Sequence, residues 1–260
     1  MVKELGTPIA TVAVIVLAML TGSASAAPKK VAPLRVAVAP GYYPMIFNGP
    51  GGKLDGADVH YVKALSERLQ RPIELVVVPF DQILEQVATW KVDLGMSGLD
   101  VIPPRANIVY VEYFSMPDAL LVKAASPLKA APKPDLSKTI VGAIAVSAAR
   151  IAFSVEAEKG KVARARGYEG EPALLDAMER GQVDAVVLHL PAALERVRKS
   201  EGKLRLVAKD VTKQPLGIAI AKTSTGLAES VQAAVKSLRD DGTAAKIEAE
   251  AYELINQQVK

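Results

Sequence analysis

From Leu34 onward, short runs with strand character alternate with stretches of helical period, and this alternation restricts the chain to an α/β architecture. Leu34–Ala39 (LRVAVA) reads as a strand ended by Pro40-Gly41. Asp58–Leu69 reads as a helix with Val59, Val62, Leu65 and Leu69 on one side, followed by a β-branched strand at Ile73–Val78. Asp81 is placed to cap a helix carrying Ile83, Leu84 and Val87, and Val92–Met96 reads as another short strand. Pro103-Pro104 marks a turn or a helix start. Further strand signals fall at Leu120–Lys123, Ile140–Ile144, Asp184–Leu188, Leu204–Val207 and Gly217–Ile220. Helical signals fall at Ser147–Glu158, Glu171–Arg180, Pro191–Lys199 and Ser224–Arg239. Such a pattern predicts largely parallel sheets, and the Pro- and Lys-rich stretch Ser126–Lys138 reads as a linker between two halves.

Composition removes several functional classes. Half of the 260 residues are hydrophobic, enough for a substantial core. The absence of cysteine excludes a disulfide scaffold, a thiolate metal site and a cysteine nucleophile. The two histidines, His60 and His189, lie far apart, so no helical metal-binding pair exists, and no metal or cofactor is expected. A net charge of +4 without a dense basic run, and an aromatic content of 5%, argue against nucleic acid. At the start, Lys3 precedes an apolar run from Ile9 to Leu20 and the small residues Ala24-Ser25-Ala26. This is the layout of a secretory signal peptide, and the run falls short of the ~20 residues that span a bilayer. Cleavage after Ala26 is expected, releasing a monomeric protein to the periplasm that is not embedded in the membrane.

Several short motifs occur in a fixed order: Leu34–Pro44 (LRVAVAPGYYP), Leu54–Leu69 (LDGADVHYVKALSERL), Pro79–Leu99 (PFDQILEQVATWKVDLGMSGL), Pro104-Arg105, Glu112–Pro117 (EYFSMP), Thr139–Gly142 (TIVG), Gly181–Ala185 (GQVDA) and Ser237–Thr243 (SLRDDGT). Together they make the chain resemble the periplasmic solute-binding proteins of polar amino-acid ABC transporters, family 3. That resemblance implies a type II periplasmic-binding fold: two α/β lobes with mixed sheets flanked by helices, two hinge crossovers, and a small molecule trapped between the lobes for an inner-membrane ABC permease. On this mapping residues 27–122 and 216–260 form the first lobe and residues 123–215 the second, with crossovers near Leu121–Ala124 and Pro215–Ile218.

The resemblance also carries site roles onto particular residues. Arg105 matches the arginine that grips a ligand α-carboxylate, a task suited to the planar guanidinium fork. Tyr42 matches an aromatic that covers the ligand, Phe80 lies near a pocket-lining loop, and Ser97 and Gly98 stand where contacts to the ligand are expected. Asp100, however, occupies a position usually held by serine or threonine. A second carboxylate ~4 Å away would be repelled by about 4 kcal/mol at an effective dielectric near 20, so Asp100 disfavours a simple carboxylate ligand. In the second lobe Ser147 has the hydroxyl the family uses, but Ala148 is the position that matches more directly. His189 falls where an aspartate usually binds the α-ammonium, and Asp118 replaces a common aromatic. The resemblance thus implies a small polar metabolite other than a standard α-amino acid, and the aspartates beside aromatics suit a cation or an uncharged polar solute.

Two other classes share this frame. A receptor or accessory protein would keep the two-lobed shell without solute transport. A cyclohexadienyl-dehydratase-like enzyme would use His189, Asp100 or Asp118 as an acid. A serine hydrolase is disfavoured because Leu99 stands where the Gly-x-Ser-x-Gly turn around Ser97 needs its last glycine. The expected function is solute capture without catalysis.

Overall fold

The computed structural model of the protein describes residues 32–102 and 107–257. In chain order the elements are β1 (Leu34–Val38), β2 (Phe47–Asn48), β3 (Leu54–Asp55), α1 (Ala57–Leu69), β4 (Ile73–Val77), α2 (Ile83–Ala88), β5 (Leu94–Gly95) and β6 (Ile108–Lys123). They continue with β7 (Leu136–Ile144), α3 (Ala148–Glu158), β8 (Val162–Tyr168), α4 (Gly170–Glu179), β9 (Ala185–His189), α5 (Leu190–Lys199), β10 (Leu204–Ala208), β11 (Lys213–Ala221), α6 (Thr225–Asp240) and α7 (Thr243–Gln257).

Eight strands of a nine-stranded sheet follow the order β4-β1-β5-β11-β6-β9-β7-β8, and the ninth, β10, pairs with β6 off this path. The sheet is mixed rather than largely parallel. β1 runs parallel to β4 and β5, and β7 parallel to β8 and β9, whereas β11 and β6 are antiparallel to their neighbours. The long β6 joins two half-sheets by changing partners along its length. Ile108–Pro117 pairs with β11, and from Asp118 onward the strand pairs with β9 and β10. The expected short strand at Leu120–Lys123 is the tail of this element.

Local differences from the expected elements have physical reasons. Ser126–Lys138 does not link the halves. It leaves β6 and returns as β7 in the same half-sheet, pinned by the Ala131 N–H to the Val207 carbonyl and by Arg205 Nη2 to the carbonyls of Ser126 and Leu128. Asp81 makes no cap; it lies in a 3-10 turn, Phe80–Gln82, ahead of α2. β8 was hidden by its arginines, which an edge strand paired only to β7 tolerates because one side remains open to solvent. The hairpin β2–β3 consists of two-residue strands, too short for a periodic signal. α7 was not expected; it buries Ala244, Ile247, Ala251 and Ile255 at helical spacing.

α1 shows how the core forms. Its inward face is Asp58, Tyr61, Val62 and Leu65, rather than the stripe through Val59 and Leu69, which stay half-buried. Tyr61 and Leu65 are inaccessible to solvent, and side chains of that size each contribute about 1.5–3 kcal/mol on burial. Asp58 on this face is also fully buried. It accepts a hydrogen bond from the Gly98 N–H at 3.0 Å and another from the Tyr113 hydroxyl, while the Tyr61 hydroxyl donates to the Tyr113 carbonyl at 2.8 Å. The first turn of a helix suits an acidic side chain. Burial nonetheless pushes the Asp58 carboxyl up to about 7, against the opposing pull of both hydrogen bonds.

Candidate functional site

The loops that follow β1, β5, β7 and β9 meet at the carboxyl ends of these strands, where the two half-sheets face each other. Open α/β sheets place ligands at such ends. A cavity of about 610 Å3 lies there. The first half contributes Tyr42, Phe80, Leu84, Gly98, Leu99, Asp100 and Ile102; the second contributes Ile144, Val146, Ser147, Ala149, Glu171 and His189. Asp118 stands where β6 changes partners and is register-paired with His189 of β9, so both side chains project from the same place.

Its polar centre is built on His189. The Tyr42 hydroxyl is hydrogen-bonded to His189 Nδ1, and the two rings stack with centroids 5.7 Å apart. On the other side, His189 Nε2 lies 3.0 Å from Asp100 Oδ1 and 3.8 Å from Asp118 Oδ1. Among the described residues neither carboxylate oxygen has a further partner. Asp118 Oδ2, in contrast, accepts from Thr212 Oγ1 at 2.5 Å and from Gln214 Nε2 at 2.7 Å. The Asp118 side chain is 0% exposed, against 16% for Asp100 and 19% for His189.

These neighbours shift protonation. Burial opposes the imidazolium of His189, but Asp100 in contact and Asp118 beyond it outweigh burial and raise its pKa. Burial raises the Asp118 carboxyl despite His189, Thr212 and Gln214, which pull it down. Burial, reinforced by Asp100, Asp118 and Asp58, moves the Tyr42 hydroxyl well above its usual range. The surroundings of His189 therefore favour its protonated form.

The remaining sequence-derived residues distribute unevenly. Gly98 lines the cavity, but its N–H is taken by Asp58. Its backbone is left-handed (φ +60°), and a Cβ there would lie 2.3 Å from the Tyr42 ring, so glycine lets that ring lie flat over the chain. Ser97 is turned away from the cavity: its hydroxyl donates to the Ala39 carbonyl at 2.9 Å and accepts from the Ala39 N–H at 3.2 Å. Ser147 caps α3, accepting from the Arg150 N–H at 3.1 Å and donating to the Ile144 carbonyl at 2.8 Å. The Ala148 N–H, at the N-terminus of α3, donates to Asp100 Oδ2 at 3.4 Å. Phe80 stands at the rim, 58% exposed. Arg105, with Pro103-Pro104, lies outside the described residues. The sequence reading missed Thr212 and Gln214, which hold Asp118 from the strand beside it. It also missed Asp58, for which a carboxylate on the apolar face of α1 was an available signal. Among the described residues no group of three or more histidine or acidic side chains is placed to hold a metal ion.

Two half-sheets facing each other across a polar-centred cavity define a two-lobed, type II periplasmic-binding architecture. Residues 34–253 match the bacterial extracellular solute-binding proteins, family 3, and the chain belongs to that family. It is 23% identical to the L-cystine-binding protein TcyJ of Escherichia coli (strain K12) over 210 residues, 78% of this chain and 76% of that one. Among solved structures it is similar to an ancestral arginine-binding protein bound to arginine, with a TM-score of 0.64 and 25% identity, covering 86% of this chain and 100% of that one. It is also similar to the ancestral amino acid-binding protein AncCDT-1, a precursor of cyclohexadienyl dehydratase, with a TM-score of 0.59 and 26% identity, covering 84% and 95% of the two chains. No described helix is long and apolar enough to cross a membrane.

Proposed function

We propose that this protein captures a small polar solute between its two lobes in the periplasm and presents the closed form to an inner-membrane ABC permease. In this reading residues 27–122 and 216–260 form the first lobe and 123–215 the second, with the crossovers near Leu121–Ala124 in β6 and Pro215–Ile218 in β11. Two strand crossovers at these points are the hinge. Residues 1–26 act as the export signal and lie outside the described residues. The carrying observation is the cavity of about 610 Å3, lined from both half-sheets and crossed by the Tyr42–His189 and Asp100–His189 contacts. Its size suits a single small metabolite. Side chains that meet across a cleft suit a closed state whose shape a membrane partner reads. Arg105 is assigned to the ligand's surroundings on the family resemblance, and Tyr42, Asp100, Asp118 and His189 on their place in the cavity.

Native mass spectrometry of freshly purified protein, with small-angle scattering before and after ligand removal, tests this reading. The expected result is one bound small molecule and a larger radius of gyration once it is removed. An unliganded protein with unchanged scattering across a metabolite mixture, and a stable complex with another exported protein, would replace capture by an accessory role.

The histidine between two carboxylates also favours a second reading, acid-catalysed dehydration of a cyclic carboxylate, which the likeness to AncCDT-1 supports. Incubation with prephenate or arogenate separates the two: capture predicts no aromatic product.

A further inference from the structure

Among the described residues, the backbone and hydroxyl donors beside the cavity are committed to acceptors of the protein itself. Three groups placed to donate toward the cavity, the Gly98 N–H, the Ser147 hydroxyl and the Ala148 N–H, are each taken by an acceptor of the protein: Asp58, the Ile144 carbonyl and Asp100. Asp100 thereby occupies the N-terminus of α3, where a carboxylate brought by a ligand would otherwise be welcomed. On the acceptor side, Asp100 Oδ1 and Asp118 Oδ1 are buried, and among the described residues neither has a partner beyond the ion-pair contacts with His189. Native structures rarely leave such oxygens without a donor. The single Nε2 of His189 lies 3.0 Å from the first and 3.8 Å from the second, and one N–H cannot satisfy both. Glu171 and Asp81 add further acidic side chains to the lining, Glu171 being paired to Arg196. The rest of the wall is largely apolar, with Leu84 inside and Phe80 and Val146 standing exposed at the rim on opposite halves.

Resting on the solute-capture reading, we propose that the solute is an organic cation with an apolar body and no carboxylate, its ammonium donating to Asp118 Oδ1 and Asp100 Oδ1 and its apolar part lying against Leu84, Phe80 and Val146. His189 is then the protein's own cation, holding the two carboxylates until the ligand shares or replaces it. Asp100 stands in for the carboxylate that an amino acid would supply.

Titration calorimetry with matched pairs tests this: phenethylamine against L-phenylalanine, and agmatine against L-arginine, with 2-phenylethanol as the uncharged control. At least one amine is expected to bind about tenfold or more tighter than its parent amino acid, and the alcohol to bind at least about tenfold more weakly than phenethylamine. Asp118→Asn is expected to lower amine affinity by about thirtyfold or more, because it removes a buried carboxylate partner. Should that variant fail to fold, Asp100→Asn carries the test with an expected loss of about tenfold. The inference is overturned if each parent amino acid binds as tightly as its amine, if the alcohol matches the amine, or if none of the probes binds at about 1 mM. A neutral or anionic solute found by native mass spectrometry would overturn the cation assignment and leave capture standing. A protein that neither carries nor closes on any solute would overturn both.

Discussion

Two buried aspartates divide the labour in this molecule. Asp58, in the shell of the first half-sheet, receives hydrogen bonds at both oxygens, from Tyr113 and Gly98. Asp118, at the junction of the half-sheets, receives both of its bonds at one oxygen, and the other faces the cavity with His189 3.8 Å away. Neither side chain is accessible to solvent. The difference lies in whether the surrounding structure completes the carboxylate's shell. A completed shell holds a loop in place, and an incomplete one leaves an acceptor for a ligand.

The strongest test of this contrast is the pH dependence of stability. With its folded value raised to about 7, Asp58 binds a proton more tightly in the folded chain than in the unfolded one. Stability therefore falls as pH rises through the interval between the unfolded carboxylate value and about 7, and is recovered on acidification. A shift of this size corresponds to roughly 4 kcal/mol between about pH 3 and about pH 8. Denaturant unfolding of the wild type and of Asp58→Asn across that range is expected to show the slope in the former and its loss in the latter. Parallel curves would remove the basis for the contrast.

Asp58→Ala tests the completed shell directly. It leaves the Gly98 N–H and the Tyr113 hydroxyl buried without their acceptor, and a loss of about 3 kcal/mol in unfolding free energy is expected. A change below about 1 kcal/mol would show that water completes the shell instead. Gly98→Ala, which drives a Cβ into the Tyr42 ring, probes the link between the two aspartates. If the protein captures a solute as proposed, this variant is expected to bind it about tenfold more weakly, roughly 1.4 kcal/mol, with calorimetry as the measurement. Unchanged affinity would mean that the Tyr42–His189 contact does not shape the site.

The smallest expected effect belongs to His189→Gln. The folded value of His189 is raised, so its stabilisation is complete below the ordinary histidine range and is lost as pH rises through the folded value. Unfolding curves taken as pH rises above the ordinary histidine range are expected to show a decline in the wild type that the variant lacks. A variant that declines equally would place the titrating group elsewhere.

Much of the fold was legible because strand and helix periods are local. α1, β4, α3, α4 and α5 lie within a few residues of where the pattern puts them. The pattern failed where context outweighed period: β8 carries arginines on an edge, and the loop after Lys123 has a linker's composition but is pinned to β10 and its flanks. At the site, Tyr42, Gly98, Asp100, Asp118, Ser147 and His189 were legible as candidates and do line the cavity. Ser97 was not distinguishable from them, since only the strand geometry turns its hydroxyl to Ala39. Thr212 and Gln214 were invisible because a donor to Asp118 from so distant a segment leaves no local pattern.

The sequence by itself determined the α/β alternation, the family and the presence of an aspartate and a histidine at positions where other residue types were expected. Those follow from residue types read in order, which need no knowledge of contacts. Only the tertiary structure decided that Tyr42 and His189, 147 residues apart, touch, and that Asp100 and Asp118 converge on one imidazole. It also decided which carboxylate is satisfied and which is not, because hydrogen bonding depends on distances and directions that arise once the half-sheets meet.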